Sequence, residues 1–335
     1  MKAILPVAGE AKRLRPHSYT VAKVLMNVGG KPIVAHIIDE LKRIGIKDII
    51  LIIGHKGDQV KDWARETYPE LNFYFTVQTE RKGLAHAILM GEPFMKEDEP
   101  LLIVFGDTIF EGDIGTAIKT KLDGALGVKM VNDPRRFGVI ETNKENIITK
   151  LVEKPDILKP MPALVGLNYI NNTKLMFKCI KELIANDIRT KGEYQITDAF
   201  QLMVDQGAKL EPFLMDGWYD CGTRETLLET NRHLLETRCN YFKPREGCII
   251  IPPVFIHDEA ILECSIVGPF VTIDKGSTIK QSIIRNSIIN ASAEISSESI
   301  TDSLIGDNAK IKGKLKVVNI GDSSELNLSN EQIGF

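Results

Sequence analysis

The most constraining feature lies in the last third of the chain. Val267, Ile273, Ile279, Ile284, Ile289, Ile295, Ile300, Ile305, Ile311 and Val317 recur every five or six residues, with small or polar residues between them, as in SIVGPFVTIDKGSTIKQSII. A half-buried strand repeats every second residue and a helix every 3.6. Neither gives this beat. A hexapeptide solenoid does, because each short strand sends one aliphatic side chain inward and successive coils stack. An irregular β-sandwich is the competing arrangement. The closing stretch, KLKVVNIGDSSELNLSNEQIGF, is expected to cap the open end of the stack, as solenoids require.

Upstream, to about residue 235, apolar strands alternate with amphipathic helices. AILPVA reads as a strand, and PIVAHIIDELKRIGI places Ile33, Ile37, Leu41 and Ile44 on one helical stripe. DIILIIGH is a near-continuous buried strand. VKDWARETY (helix), NFYFTVQ (strand), GLAHAILMGEPFM (helix) and PLLIVFGD (strand) continue the alternation. This predicts an α/β domain with a mostly parallel sheet and helices on both faces, whose ligands bind beyond the carboxyl ends of the strands. With 335 residues the chain suits one large domain and a smaller one. The junction is expected around 240 to 250, giving domains 1–240 and 241–335.

A formal net charge of −3 gives no reason to expect nucleic acid or an acidic membrane as partner. Five cysteines without a C-x-x-C pair argue against a zinc site or disulfide framework. The N-terminal apolar run is too short for a signal peptide and no stretch approaches a membrane span, so a cytoplasmic setting is expected.

Charged residues cluster where strands end. The first strand runs into VAGEAKRLRP, a loop with one glycine and three cations that suits phosphate. Lys23 could add a cation or be solvated. LLIVFGD ends in Asp107 and FLMDGWYD in Asp220; either could be a helix cap or turn residue, but together with the loop cations they suggest a divalent metal bridging carboxylates and phosphates. Glu153 and Lys154 precede a proline, a common surface turn. Glu193, Gln195 and Asp198 lie close together, and Thr197 or Asp198 could cap a helix at DAFQLMVD. Gln78 ends a strand and could read a base edge or cap a helix. There is no G-x-x-x-x-G-K-[ST], no G-x-S-x-G and no H-E-x-x-H, and the first loop lacks the three glycines of a dinucleotide fingerprint.

The ordered set of blocks resembles the sugar-1-phosphate nucleotidylyltransferases, in particular the glucose-1-phosphate thymidylyltransferase-like branch with a C-terminal left-handed β-helix. That family opens with a strand, G-x-G-T-R-L-x-P, then P-K and a K-P-I helix start; here stand GEAKRLRP, AKVL and KPIVAHII. QTERKGLAHAI, FGD, FGVIE, VEKP, VGLNYI, GEYQITDAF and GWYDCGTRETLLETN follow in the family's order, across essentially the whole chain. The resemblance implies a Rossmann-like nucleotidyltransferase fold and transfer of a nucleotidyl group from an NTP, dTTP or UTP, to a sugar 1-phosphate, glucose 1-phosphate first, with pyrophosphate released. It implies that Ala8, Gly9, Glu10, Ala11 and Lys12 meet the nucleotide phosphates and that Gln78 and Gly83 lie near the base. Arg13 and Lys23 would be catalytic, and Asp107 and Asp220 would hold Mg²⁺. Gly138, Glu153, Lys154, Asn168, Tyr169 and Glu193 would surround the sugar. A homo-oligomer is expected, with the solenoid as oligomerisation or packing module.

Three residues depart from the family pattern: Ala11 replaces the second glycine, Lys12 the threonine, and Ala22 the proline before the lysine. A left-handed Ala11 costs on the order of 1–2 kcal/mol, and a methyl aimed at phosphate would weaken binding directly. Two classes therefore stay open: an active enzyme with a modified loop, and a weak or inactive homologue that binds sugar nucleotide as a regulatory or assembly subunit. Acyltransfer by the solenoid is disfavoured, because no histidine follows His257 to act as general base.

Overall fold

In the computed structural model, which describes residues 1–314 and Ser323, a nine-stranded mixed sheet carries the first part of the chain. Its path runs Ile148–Glu153, Gly138–Thr142, Met161–Ile170, Leu101–Val104, Lys2–Pro6, Asp48–Ile53 and Asn72–Val77; Gly124–Val131 joins Met161–Ile170 to Leu210–Leu214. The four strands from Leu101–Val104 to Asn72–Val77 are parallel, whereas Met161–Ile170 is antiparallel to its neighbours.

Asp48–Ile53 shows why the central strands are apolar throughout. Ile49, Leu51 and Ile53 enter one core cluster and Ile50 and Ile52 the other, so neither face of the strand meets water. Helix Ile33–Arg43 seats Val34, Ile37, Ile38 and Leu41 in the first cluster, and helices Thr173–Ala185 and Ile196–Asp205 send Met176, Phe177, Ile180 and Phe200 into the second. Helices thus cover both faces. Each such buried side chain is worth about 1.5–3 kcal/mol of transfer free energy, which outweighs weak local propensities.

Two local expectations are corrected. GLAHAILMGEPFM is not one helix: Leu84–Leu89 stops and a single tight turn, Glu92–Phe94, follows, because Pro93 lacks the N–H to continue. The helix at DAFQLMVD begins earlier, at Ile196, without a side-chain cap; Thr197 Oγ1 donates instead to Glu153 Oε2 at 2.7 Å.

Beyond helix Arg224–Thr237 the chain winds into a left-handed parallel β-helix with three four-stranded faces. Successive coils are offset by 16 or 17 residues. Val254, Val267, Ile273, Ile279, Ile284, Ile289 and Ile295 fill the interior, as the aliphatic beat requires. Each corner stacks left-handed residues in register: Cys264, Gln281 and Ser297; Phe270, Asn286 and Asp302; Gly276, Ser292 and Asn308. Corner serines close the ladder, Ser265 and Ser282 Oγ accepting the N–H of Ser282 and Glu298 in the next coil. The expected closing segment, with Val317, falls almost wholly outside the described residues.

One face of the solenoid docks on the first domain. Its outward residues Phe255, Thr272, Ile288 and Leu304 stack in one column. The Phe255 ring fits beneath Gly30, where a methyl would lie 2.6 Å from it. Buried Asn231 accepts from Gly29 N–H (2.9 Å) and Thr272 Oγ1 (2.7 Å), and Asn27 Nδ2 donates to Asp274 (2.9 Å). Ile288 and Leu304 enter an apolar cluster with Leu14, Met26, Ile109 and Cys221.

Candidate active site

The loop after Lys2–Pro6 turns through Ala11, which is left-handed (φ 51°, ψ 45°), into the tight turn Lys12–Leu14. The departure from glycine therefore falls where a positive φ is required. The Ala11 methyl packs against the cluster shared with the solenoid, so it is apolar packing and not an obstacle in the cleft. Ser18 Oγ donates to Ala11 O at 2.8 Å, holding the turn. Gly9 faces open space. Glu10 pairs with Arg81 (2.6 Å) and Lys12 (3.5 Å); the Arg81 guanidinium holds its carboxyl below the usual range. Ala22 keeps a proline-like φ of −63°, but its N–H donates to Gln59 Oε1 at 3.0 Å, a bond proline could not make.

Lys23 is buried and its Nζ lies 2.6 Å from Asp107 Oδ2. Asp107 follows parallel strand Leu101–Val104, and the chain then forms a ribbon in which Thr108–Glu111 pairs antiparallel with Gly217–Asp220. Asp220 lies opposite Thr108, and Cys221 N–H donates to Asp107 O at 3.0 Å. Both carboxylates line one recess, and the charge of Asp107 acts on Asp220. Burial pushes the Asp107 carboxyl up, but the Lys23 ammonium, together with hydrogen bonds from Thr108 and the backbone, brings the net shift down. Asp220 shifts up: burial dominates, Lys23 opposes it and Asp107 adds to it. Arg13 reaches the same place, since a methyl at Gly222 would lie 2.8 Å from both Arg13 Nη2 and Asp220 Oδ2. Among the described residues no group of three or more His, Cys, Asp or Glu side chains forms a metal site. Mg²⁺ is commonly held by one or two carboxylates and completed by water and substrate phosphate, so this pair fits an ion shared with a ligand.

Two recesses meet at Asp107. The larger, about 520 Å³, is lined by Arg13, Asp107, Gly138, Glu153, Lys154, Asn168 and Asp220 among others. Burial raises the Glu153 pKa, while Thr197 Oγ1 bonded to the carboxylate opposes the shift. Lys154 Nζ is 3.6 Å from Glu153. A methyl at Gly138 would lie 2.5 Å from Thr197 Oγ1 and 2.9 Å from Glu153 Oε2, so only glycine fits. Asn168 is 1% exposed and its Oδ1 has no partner, an unmet acceptor that a ligand donor would satisfy.

The smaller recess, about 290 Å³, is lined by Ala8, Gly9, Lys23, Gln78, Gly83 and Glu193 among others. Gln78 Nε2 donates to Gly83 O (3.2 Å) and faces His86 Nδ1 (3.3 Å). Gly83 has φ 113°, and a methyl there would lie 2.5 Å from Tyr194 O. This close approach sets the Glu193–Tyr194 segment against Gly83, and Glu193 lines the same recess as Gln78.

Two placements are corrected. Tyr169 does not reach the cleft: alternation along Met161–Ile170 sends Asn168 to one face and Tyr169 into the core on the other. Glu193 sits in the smaller recess rather than beside Glu153. Arg136, Phe137 and Trp218 line the larger recess and Gly222 lies against Arg13 and Asp220 without having been singled out, and Thr197, weighed only as a helix cap, bonds Glu153 there. The paired arginines of DPRRFG were the available signal for Arg136; nothing in the sequence marked Gly222.

Residues 2–237 match the family described as Nucleotidyl transferase. The chain is 28% identical to the low-salt glycan biosynthesis nucleotidyltransferase Agl11 of Haloferax volcanii, over 98% of this chain and all of the relative. It is also 28% identical to a Streptomyces antibioticus glucose-1-phosphate thymidylyltransferase, over 98% of this chain and all of the relative. A Bacillus anthracis protein described as a glucose-1-phosphate thymidylyltransferase, solved with sucrose, superposes with a TM-score of 0.62 at 29% identity, over 72% of this chain and 98% of its own. A parallel-sheet cleft ringed by Lys23, Arg13 and two aspartates, together with this match over most of its length, shows that the chain belongs to the nucleotidyl transferase family.

Proposed function

We propose that the protein transfers a nucleotidyl group from dTTP or UTP to a sugar 1-phosphate, glucose 1-phosphate first, releasing pyrophosphate and forming a nucleotide sugar. The observation that carries this reading is the meeting of two recesses at Asp107, with Lys23 on the wall of the smaller and Asp220 on the wall of the larger. The smaller recess suits the nucleotide, with Gln78 and Gly83 at the base and the 8–12 loop along the phosphates. The larger suits the sugar, with Gly138, Glu153, Lys154 and Asn168 around its hydroxyls; the relatives named for glucose 1-phosphate support that choice. Such transfer needs no protein nucleophile, only positioning and charge neutralisation. Lys23 would hold the two reacting phosphates together and Arg13 would stabilise the departing pyrophosphate. Asp107 and Asp220 would hold Mg²⁺, which supplies further neutralisation of phosphate charge when bound. The position of the Ala11 methyl supports the active reading over an inactive subunit.

The domains are proposed to divide at 240 and 241, consistent with the end of the family match at 237. A cytoplasmic setting is proposed; among the described residues no helix is long and apolar enough to cross a membrane. Homo-oligomerisation is proposed through the solenoid, where outward Ile249 and Ile283 are exposed on one face. The test of function is pyrophosphate release on mixing the protein with Mg²⁺, glucose 1-phosphate and each of dTTP, UTP, ATP, CTP and GTP. Release strongest with dTTP or UTP is expected; no release with any pair of substrates overturns the reading.

A further inference from the structure

We infer that Ile288 and Leu304 of the β-helix are positioning residues for the phosphate loop, and that they hold Ala11 in its left-handed conformation. Every charged group of the proposed centre hangs from the cluster these two residues enter. Ala11 and Leu14 flank Arg13, Met26 follows Lys23 by one turn, Ile109 follows Asp107 by two residues, and Cys221 adjoins Asp220; all pack in the cluster with Ile288 and Leu304. The loop also rests on the next corner of the same coil, since a methyl at Gly306 would lie 3.5 Å from His17 Nδ1. Ser18, the residue after His17, bonds Ala11 O.

Glycine adopts a positive φ freely, but alanine does so only where its surroundings over-determine it. In this chain the solenoid supplies those surroundings, and the alanine methyl in turn adds a contact to the seam. The substitution in the loop and the docked solenoid are two halves of one arrangement. The family match spans residues 2–237 and stops short of the solenoid, so the nucleotidyl transferase unit is defined without it. Bracing of the loop is therefore a separate role for the second domain.

The kinetic part of the test rests on the proposed transferase activity; the exchange part does not. In the full chain, Leu304→Ser should raise deuterium uptake in peptides covering 9–19 and leave the strand Leu101–Val104 protected, while Leu304→Met and Ile288→Val behave as the parent. Leu304→Ser should lower kcat about 10-fold or more, as expected for misplaced reacting groups, with KM for the sugar phosphate changed less than about twofold. In an Ala11→Gly background the same change should cost under about threefold, because coupled sites are non-additive. Unchanged uptake in 9–19, or equal losses in both backgrounds, overturns the inference. If the parent shows no transfer at all, the proposed function fails and the exchange result alone decides this one.

Discussion

Lys23 Nζ and Asp107 Oδ2 lie 2.6 Å apart although 84 positions separate them in the chain. The pair joins the segment after the phosphate loop to the end of a neighbouring parallel strand. If Asp107 holds the proposed Mg²⁺, its carboxylate would no longer be committed to Lys23, whose ammonium would then be free to meet phosphate. Asp107→Ala and Asp220→Ala should each lower transfer by at least about 10³-fold, the scale of removing a main electrostatic contributor. Circular dichroism should show the fold retained, and activity in either variant near that of the parent would remove that aspartate from the metal site.

Gly138 and Gly222 make room for charged groups rather than for unusual backbone angles. Gly222→Ala should force Arg13 and Asp220 apart and lower kcat by about 10²-fold, as misplacement by about 1 Å does. Gly138→Ala should act mainly on KM for the sugar phosphate, because the displaced groups are Thr197 and Glu153. Steady-state kinetics distinguishes the two.

Glu153 gives a pH dependence. Its pKa lies above the usual glutamate value because it is buried, so the carboxylate begins to be lost at a higher pH than for an exposed glutamate. Sugar-phosphate affinity should be full above that raised pKa and fall as pH drops through it. Calorimetric titration of parent and Glu153→Gln should show this acid limb in the parent and its loss in the variant.

Ala22→Pro tests the other loop departure. The backbone angle suits proline, and chain stiffening would contribute about 0.4–1 kcal/mol, but loss of the bond to Gln59 costs about 1 kcal/mol or somewhat more if Gln59 is left unpaired. The substitution should be neutral to destabilising in the parent and stabilising in a Gln59→Leu background, measured by urea unfolding.

Much of this was legible in residues 1–335 as text. Strands buried on both faces, such as Asp48–Ile53, read as continuous apolar runs, and the inward aliphatics of the solenoid keep their beat because each coil has three faces. Asp107 and Asp220 could be singled out because each ends an apolar strand, whereas Gly138 and Asn168 were named only through the family resemblance. Other features were not legible. Tyr169 is adjacent to Asn168, and only the register of the strand decides which of them faces the cleft. The role of Gly222 depends on Arg13, over 200 positions away. The bracing of Ala11 depends on a domain contact that leaves no local pattern.

The central claim, that the Lys23, Asp107 and Asp220 centre transfers a nucleotidyl group, is tested most directly by following label. With dTTP or UTP labelled at the α-phosphorus and glucose 1-phosphate present, label should enter a nucleotide sugar in a Mg²⁺-dependent reaction, while γ-label should appear only in pyrophosphate. Release of γ-label as inorganic phosphate, or α-label remaining in the triphosphate under all conditions, would contradict the account.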